Sequence, residues 1–407
     1  MSIGVREGVR EAQQLDLFGS ILSVYLKGGE PVDNDKLYDA IVETGQVDRD
    51  EMERREPIGR AGTQRSVAKR KVRWYQQTLK KLGLVERVPE RRGWWRATAK
   101  AKAELTPAPP RVVMLGFSTE LGVGLWASCA DVFGQIGEPI TLCLTSPPYA
   151  LARPRAYGNP DQKSYVDFIC SSLEGVVKHL VRGGMLALNI SNDIFEPGSP
   201  ARSMINERLT LAMADRLGLS LMERLVWNAP SKAPGPIQWA SKKRMQLNVG
   251  WEPVLIFCND PHAAVADNRR VLLEHTERHL KLMRGGGENR EGVFGDGAYR
   301  LKKGAFGEET AGRIPKNVLT FGHQCGELMQ LRKLADEAGL PRHSATMPLR
   351  LAKFLVEWLS RPGDLVVDPF AGWFTSCKAA EALGRRWIGT ELMLEHVLGA
   401  RPRFAGG

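Results

Sequence analysis

The sequence predicts an α/β protein in which a doubly wound, mostly parallel sheet follows a smaller N-terminal α+β domain. From about residue 112 onward, apolar segments of strand length alternate with segments of helical length, which is typical of such a sheet. Positive charge is concentrated before residue 103 instead. A chain of 407 residues with 43% hydrophobic residues is long enough for two or three domains with full cores.

The predicted N-terminal domain covers residues 1–105. Helices are expected around Leu15–Tyr25 and Asp35–Glu43, and a third helix is expected between Ser66, which suits an N-cap, and Gly83, which suits a helix stop. The third helix carries an apolar stripe at helical spacing, formed by Ala68, Val72, Tyr75, Leu79 and Leu82.

A basic hairpin is predicted next, because the segments 84–88 and 93–98 flank a tip that contains Arg91 and Arg92. Between residues 60 and 102 there are fourteen Lys or Arg and two Glu, a net charge of +12 in a chain whose total is +11. Such a concentration favours contact with phosphate, whereas a merely solvated face usually carries both signs. Helices followed by a basic helix and a basic hairpin resemble a winged-helix DNA-binding domain.

That resemblance implies a third helix in the major groove and a hairpin tip along the phosphates. The DNA-binding residues it implies are Lys69, Arg70, Arg73, Lys80, Arg91 and Arg92. A Pro-rich linker is predicted at 106–111, since such stretches resist folding into either neighbour.

The most informative motif is Thr145-Ser146-Pro147-Pro148-Tyr149, which ends the apolar segment 140–144. Proline lacks an N–H and fixes φ, so the backbone is stiff where this strand ends. Ligands of open α/β sheets bind at the carboxyl ends of strands. A hydroxyl, rigid carbonyls and an aromatic ring at that edge suit a planar heterocycle with an exocyclic amine, although a plain strand-ending turn has the same sequence.

A second motif predicts a nucleoside site. A short apolar strand is followed by Asp368-Pro369-Phe370-Ala371-Gly372. A helix is expected next, from Ser376 to Leu383, with Gly384 as its stop, and the strand after it ends at Glu391. The acid stands nineteen positions after Gly372. In such a unit the ligand meets the backbone at the glycine turn and the acid binds ribose hydroxyls.

Together the two motifs resemble those of the DNA amino-methyltransferases, which methylate cytosine N4 or adenine N6 with S-adenosyl-L-methionine. The catalytic motif precedes the cofactor motif, which resembles the permuted order of the beta group, and the resemblance covers about residues 112–392. It implies a catalytic part at 112–259 and a cofactor-binding part at 341–407. The implied catalytic residues are Ser146, Pro147, Pro148 and Tyr149. The implied cofactor-binding residues are Asp368, Phe370, Gly372, Thr375, Glu391, Asp131 for the adenine end and His343 for the methionine end.

One departure concerns the cofactor turn. The family continues it as Gly-x-Gly-Thr, whereas this chain reads Gly372-Trp373-Phe374-Thr375. Phenylalanine disfavours a positive φ and blocks close approach of the backbone, so we expect either another path of the loop or weaker cofactor binding.

Two segments are predicted to contact DNA near the site. Residues 260–340 interrupt the α/β alternation with a middle rich in glycine and charge, and the family makes its sequence choice at this place in the order. We predict a target-recognition insertion there, with a disordered spacer as the alternative. Arg153 and Arg155 follow the catalytic motif and are predicted to bind phosphates beside the target base, or else only to cover the surface.

Composition argues against several other classes. No apolar run approaches the ~18 residues of a membrane span, and the N-terminus lacks a secretory apolar region, so we predict a cytoplasmic, nucleoid-associated protein of bacterial or phage origin. Six scattered cysteines predict reduced thiols. No metal site is predicted, because His275 and His279 lack a third ligand and suit a solvated helix. Gly122-Val123-Gly124 suits a plain loop better than a dinucleotide fingerprint.

The predicted function is site-specific methylation of cytosine N4 in duplex DNA, with S-adenosyl-L-methionine as cofactor and base flipping as the means of access. In the family, Ser before Pro-Pro-Tyr leans to cytosine N4 and Asp to adenine N6. Methylation at cytosine C5 would need a cysteine, typically after proline, and the chain has no Pro-Cys dipeptide. The open alternatives are an adenine-N6 enzyme, an RNA or protein amino-methyltransferase, and a DNA-binding regulator with an inactive methyltransferase domain. Duplex DNA is the predicted partner, with or without a restriction endonuclease, and no membrane is expected.

Overall fold

The structure is a computed structural model that describes residues 17–26, 30–45, 47–58, 62–99, 101, 105–151, 158–323 and 325–404. It consists of a small N-terminal domain and a nine-stranded mixed sheet covered by helices. In the described part of the chain, no helix is long and apolar enough to cross a membrane.

The described residues of the N-terminal domain include four helices of five or more residues and two small antiparallel sheets. Its helices are 17–26 (α1), Asn34–Glu43 (α2), Arg49–Glu53 (α3) and Val67–Lys81 (α4), and its strands are Val32–Asp33 (β1), Arg55–Ile58 (β2), Thr63–Ser66 (β3), Val85–Arg87 (β4) and Trp94–Ala97 (β5). Strands β4 and β5 form the predicted hairpin, and β1 extends it on the other side of β5.

The predicted basic helix is confirmed in its start, its stripe and its stop. The Ser66 hydroxyl accepts a hydrogen bond from the Lys69 N–H at 3.1 Å, which satisfies one of the donors left open at the first turn of α4. Val72 and Leu79 on the apolar face are fully buried. Gly83 follows the helix with φ +72°, a conformation that costs glycine nothing and ends α4.

The large sheet has the order β14-β10-β11-β9-β8-β15-β16-β7-β6. Its strands are Met114–Ser118 (β6), Gly122–Trp126 (β7), Ile140–Thr145 (β8), Leu180–Asn189 (β9), Ser220–Asn228 (β10), Trp251–Cys258 (β11), Val318–Thr320 (β14), Leu365–Asp368 (β15) and Arg386–Glu391 (β16). Five of the eight pairings are parallel, so the prediction of a mostly parallel sheet is confirmed.

Helices cover both faces of this sheet. They are Cys129–Phe133 (α5), Tyr165–Lys178 (α6), Ile205–Asp215 (α7), Gly326–Glu337 (α9), Leu349–Leu359 (α10), Thr375–Ala382 (α11) and Leu394–Ala400 (α12), with Glu277–Arg284 (α8) in the predicted insertion. Alternate residues of β8 belong to different hydrophobic clusters: Leu142 and Leu144 pack with α10 and α11, whereas Ile140 and Cys143 pack with α6 and α7. This two-sided burial is what makes β8 a continuous apolar run.

Residues 122–126 form a strand, so the prediction of a loop there is wrong. A Cβ on Gly122 would lie 2.2 Å from the Trp387 carbonyl oxygen, and one on Gly124 would lie 2.6 Å from the Phe117 ring. These glycines serve close packing of a strand against its neighbours, which sequence spacing does not distinguish from turn chemistry.

The described residues of the predicted insertion 260–340 include several regular elements. It holds α8 and a hairpin of Gly292–Phe294 (β12) and Tyr299–Leu301 (β13). Strand β14 then pairs in parallel with β10 at the edge of the large sheet, and α9 contacts α12. Residues 318–320 and 326–337 are therefore packed with the large sheet and its covering helices.

The predicted linker is bound to the core. The Thr106 N–H donates to the Glu395 carboxylate at 2.8 Å, and the Ala108 N–H donates to the Leu392 carbonyl at 2.8 Å. Phe18 of α1 contacts Trp126 of β7 at 6.1 Å between ring centroids, and one hydrophobic cluster runs from the N-terminal helices into the large sheet. The N-terminal domain therefore shares a core with the rest of the chain.

We expect Phe18→Ala to destabilise the whole chain by about 3–5 kcal/mol, because a fully buried ring that packs on both Tyr75 and Trp126 leaves a cavity in the shared core. Scanning calorimetry should show one transition at lower temperature. Phe294→Ala, at an exposed position, is the control and should change stability little. Two transitions of which only the first moves would show that the domains unfold independently.

Candidate active site

A cavity of about 540 Å³ lies at the sheet edge where β8, β15, β16 and β7 have their carboxyl ends. Ten of the predicted site residues line it: Ser146, Pro147, Pro148, Tyr149, His343, Asp368, Phe370, Gly372, Thr375 and Glu391. The two motifs, more than two hundred residues apart in sequence, therefore form the walls of one space.

Asp368 joins the two motifs directly. Its Oδ1 accepts hydrogen bonds from the Thr145 hydroxyl at 2.6 Å and from the Phe370 N–H at 3.0 Å, and its Oδ2 accepts one from the Ser376 hydroxyl. Burial raises the pKa of Asp368 to about 6, against the effect of these three donors. Because both oxygens are bound within the protein, Asp368 holds the catalytic strand against the cofactor turn.

Glu391 holds the glycine turn from the other side. One carboxylate oxygen accepts from the Gly372 N–H at 2.8 Å, and the other accepts from the Met393 N–H at 2.8 Å and lies 3.4 Å from the His396 ring. Burial would raise the pKa of Glu391, but the hydrogen bond and charge of His396 and the bond from Met393 outweigh burial and lower it. Glu391 is therefore a carboxylate at neutral pH.

Gly372 is required by its conformation and by its neighbour. Its φ is +53°, and a Cβ there would lie 2.8 Å from Nε2 of His343. His343, predicted at the methionine end of the cofactor, thus stands directly over the glycine turn. A side chain at position 372 would be strained and would push this histidine away.

Phe374 has a left-handed backbone, with φ +54°, at the position where the family usually carries glycine. The ring is fully buried, 4.9 Å from the Phe117 ring, and it fills the space left open by Gly389. Left-handed backbone costs about 1–2 kcal/mol, and burial of a ring of this size offsets it with about 1.5–3 kcal/mol. Phe374 is not among the residues that line the cavity, so it does not block a ligand.

The catalytic motif carries a polar network that no sequence pattern predicts. The Ser146 and Tyr149 hydroxyls lie 3.1 Å apart. The Asn189 side-chain oxygen, at the end of β9, accepts from the Ser146 hydroxyl at 3.4 Å and lies 3.3 Å from the Tyr149 hydroxyl. Asn189 is the last residue of β9, at the carboxyl edge of the sheet, a position that its neighbours in sequence do not mark as functional.

A partly buried ion pair extends this network. The Tyr149 hydroxyl donates to Oε2 of Glu252 at 3.2 Å, and Nζ of Lys232 donates to Oε1 of the same carboxylate at 2.8 Å. Burial, followed by the charge of Glu252, raises the pKa of Tyr149 well above its ordinary value, so the phenol stays protonated and can donate. No sequence pattern indicated Lys232, because its partner lies on another strand.

Three predicted residues stand apart from the cavity or outside the described residues. Asp131 lies in the first turn of α5 and does not line the cavity. Its Oδ2 accepts a hydrogen bond from the Arg111 N–H at 2.9 Å. The cavity wall here consists of residues 127–130 instead. Arg153 and Arg155 lie outside the described residues.

The basic helix and hairpin present part of the predicted DNA-binding set to solvent. Lys69 is paired with Glu53 at 2.6 Å, and Nε of Arg73 donates to the Tyr38 hydroxyl at 2.8 Å. The side chains of Arg70, Lys80, Arg91 and Arg92 are exposed. Trp74 on the same helix is 60% exposed and lies outside the apolar stripe, so it adds an aromatic surface to this face.

Comparison with known proteins identifies the family. A family model described as DNA methylase, for the N6 and N4 enzymes, matches residues 140–401. The chain belongs to this DNA methylase family. A second model, the Mrr N-terminal domain, matches residues 16–106.

Individual relatives agree with this assignment. The methylase is 32% identical to the Type II methyltransferase M.PvuII of Proteus hauseri over 269 residues, 66% of this chain and 78% of that protein. It is 38% identical to the DNA adenine methyltransferase YhdJ of Escherichia coli K12 over 85 residues, 21% of this chain and 26% of that protein. The solved structure of PvuII DNA methyltransferase (cytosine-N4-specific) superposes with a TM-score of 0.56 at 28% identity, covering 72% of this chain and 89% of that one.

The methylase uses S-adenosyl-L-methionine, the cofactor of its family. The cavity fits this group. The Gly372 turn leaves space that a Cβ would fill, and Phe370 gives the cavity an aromatic wall.

We expect Asp368→Ala and Glu391→Ala to weaken S-adenosyl-L-methionine binding at least about tenfold without changing DNA affinity, because each removes two or more hydrogen bonds that shape the turn. Calorimetric titration with the cofactor measures this, and Glu337→Ala at an exposed position is the control. Cofactor affinities equal to wild type in both variants would show that the nucleoside site has been misplaced.

Proposed function

We propose that this DNA methylase transfers a methyl group to N4 of cytosine at a specific site in duplex DNA. The observation that carries the proposal is the position of the Ser146 hydroxyl: it lies in the wall of the cofactor cavity, at the end of β8, beside an aromatic ring and a fixed amide oxygen.

The chemistry explains why a hydroxyl is needed there. The lone pair of an exocyclic amine is delocalised into the ring, so the nitrogen is a poor nucleophile. A hydrogen bond from the NH2 to Ser146 would favour a pyramidal nitrogen and restore the lone pair. The bound cofactor supplies an electrophilic methyl group, and placing the amine in line with it provides much of the rate.

Asn189 and Glu252 position the two hydroxyls. When the Ser146 hydroxyl donates to Asn189, its lone pairs remain available for the amine of the base. The Tyr149 hydroxyl donates to Glu252, which directs its ring from the opposite side. Both are positioning residues, since each acts through a residue of the catalytic motif.

The target base must leave the duplex to reach this cavity. Unstacking costs a few kcal/mol, and stacking of the base on Tyr149 would recover part of it. The rigid Pro147 and Pro148 keep the strand end fixed while the base enters.

Cytosine rather than adenine is favoured by two observations. Ser146 stands where the family's cytosine-N4 enzymes carry serine, and the similarity to M.PvuII spans 66% of this chain, whereas that to the adenine enzyme YhdJ spans 21%.

The alternative of an inactive regulator rests on the departure at Trp373 and Phe374, but Phe374 lies outside the cavity lining. A Type II methyltransferase among the relatives also makes a role in restriction-modification, with or without an endonuclease partner, part of the proposal.

DNA binding is divided between three surfaces in this proposal. The exposed basic residues of α4 and the hairpin supply affinity, and Arg153 and Arg155 bind phosphates beside the target base. The ordered segment with α8 and the β12–β13 hairpin supplies target recognition. The basic helix and hairpin favour duplex DNA over RNA or protein as the substrate.

We expect Ser146→Ala to leave cofactor affinity unchanged and to raise the barrier to methyl transfer by about 2–4 kcal/mol, by analogy with the loss of one hydrogen-bonding group aimed at a reacting atom. Single-turnover methylation of DNA measures the rate, and Ser220→Ala at an exposed position is the control. Mass spectrometry of the nucleosides identifies the product. A full rate in the Ser146 variant would remove this residue from the mechanism, and N6-methyladenine as the product would replace cytosine by adenine.

We expect neutralisation of Arg70, Lys80, Arg91 and Arg92 to glutamine to weaken DNA binding. The log–log salt slope should fall by about 0.9 for each DNA phosphate that the variant no longer binds. Lys333→Gln, an exposed lysine of α9, is the control. Methylation mapping should find the same base in the same sequence, because recognition is assigned elsewhere. A changed or relaxed sequence would show that this domain reads bases.

A further inference from the structure

The loop between β10 and β11, residues 229–250, is held at the catalytic edge of the sheet. Its base is closed by a hydrogen bond from the Ala229 N–H to the Gly250 carbonyl at 2.8 Å, and the Val249 N–H donates to the Gly235 carbonyl at 2.8 Å. Lys232 of this loop bonds Glu252, which in turn bonds the Tyr149 hydroxyl. The loop is thus connected to the catalytic motif by two side-chain hydrogen bonds. We name it the β10–β11 loop.

The tip of the β10–β11 loop exposes large apolar side chains. Leu247 is 89% exposed, and Met245 and Ile237 are each 62% exposed. Among the described residues Leu247 is the most exposed large hydrophobic side chain. The tip is nonetheless structured, since the Met245 N–H donates to the Trp239 carbonyl at 2.8 Å and the Gln246 side chain donates to the Pro200 carbonyl. A fixed loop that presents leucine to water indicates a binding surface.

The charges around this tip specify the kind of partner. Residues 229–250 contain Lys232, Lys242, Lys243 and Arg244 and no Asp or Glu. The three consecutive cations are exposed beside the apolar side chains. Duplex DNA has phosphates outside and stacked, apolar base faces inside, so it matches cations that flank a protruding apolar group.

The tip is also close enough to act at the target base. Glu252 follows Leu247 by only five positions, so their backbones are at most ~18 Å apart even if the chain is fully extended. Glu252 bonds Tyr149, against which the target base is expected to stack. Leu247 can therefore reach the place in the duplex from which that base departs.

We propose that Leu247, assisted by Met245, enters the duplex beside the target base and fills the space that the flipped base leaves, while Lys242, Lys243 and Arg244 bind the flanking phosphates. This proposal rests on the proposed base-flipping function and adds the group that promotes it. An apolar side chain between base steps replaces part of the lost stacking and delays return of the base.

The test compares two DNA duplexes that contain the methylated sequence found by mapping. In one the target base is paired normally, and in the other it faces an abasic site, so that flipping breaks no base pair. The double variant Leu247→Ser, Met245→Ser should lose at least about tenfold in kcat/KM on the paired duplex and less than about twofold on the abasic duplex. Leu211→Ser, at a position 63% exposed on α7, should change neither rate.

A second variant separates insertion from electrostatic binding. Lys242→Gln, Lys243→Gln, Arg244→Gln should weaken binding of both duplexes equally, because phosphates are common to both. Equal losses on both duplexes in the leucine–methionine variant, or methylation of a different sequence by it, would overturn the proposal and make the loop a binding or reading element. Absence of any methylated sequence in the mapping with the wild-type protein would overturn the proposed function itself.

Discussion

The site depends on one buried carboxylate. Asp368 ends β15 and accepts hydrogen bonds from Thr145, the residue before the catalytic serine, and from Ser376 in the first turn of α11. It thereby fixes the strand that leads into Ser146 against the Gly372 turn. Methyl transfer requires the amine and the methyl group to be aligned within a narrow range, so a rigid connection between their two binding elements is the main structural requirement of the chemistry.

The cofactor turn shows how a strained residue is accommodated. Phe374 keeps a left-handed backbone because its ring is buried against Phe117 in space that Gly389 leaves open. Arg403 adds to this support, since its buried guanidinium donates to the Thr375 hydroxyl at 2.9 Å and pairs with Glu327 at 2.7 Å. The cavity therefore keeps its shape although the family's usual second glycine is absent.

The N-terminal domain is joined to the catalytic fold at a functionally relevant place. The linker residues Thr106 and Ala108 bond Glu395 and Leu392, which closely follow Glu391 in the cavity wall. The N-terminal domain and the part of the methylase that forms the cavity thus share a hydrophobic core and a backbone connection. DNA bound by α4 and the hairpin would be held in a fixed relation to the cavity.

Local sequence was sufficient to predict most elements and both motifs. Periodicity placed α4, and an apolar run placed β8. Short patterns pointed to Ser146, Asp368, Gly372 and Glu391, because a strand end or a glycine turn is specified by neighbouring residues. Which distant residues meet was visible only in the folded chain. In the folded chain β14 pairs at the edge of the large sheet, and Asp131 does not line the cavity. Asn189 and Glu252 bond residues of the catalytic motif, and Lys232 bonds Glu252. The fold also showed Gly122 and Gly124 to be packing residues of a strand. These interactions join elements that are far apart in sequence. The order of strands in the sheet decides which elements are neighbours, and no local pattern encodes that order.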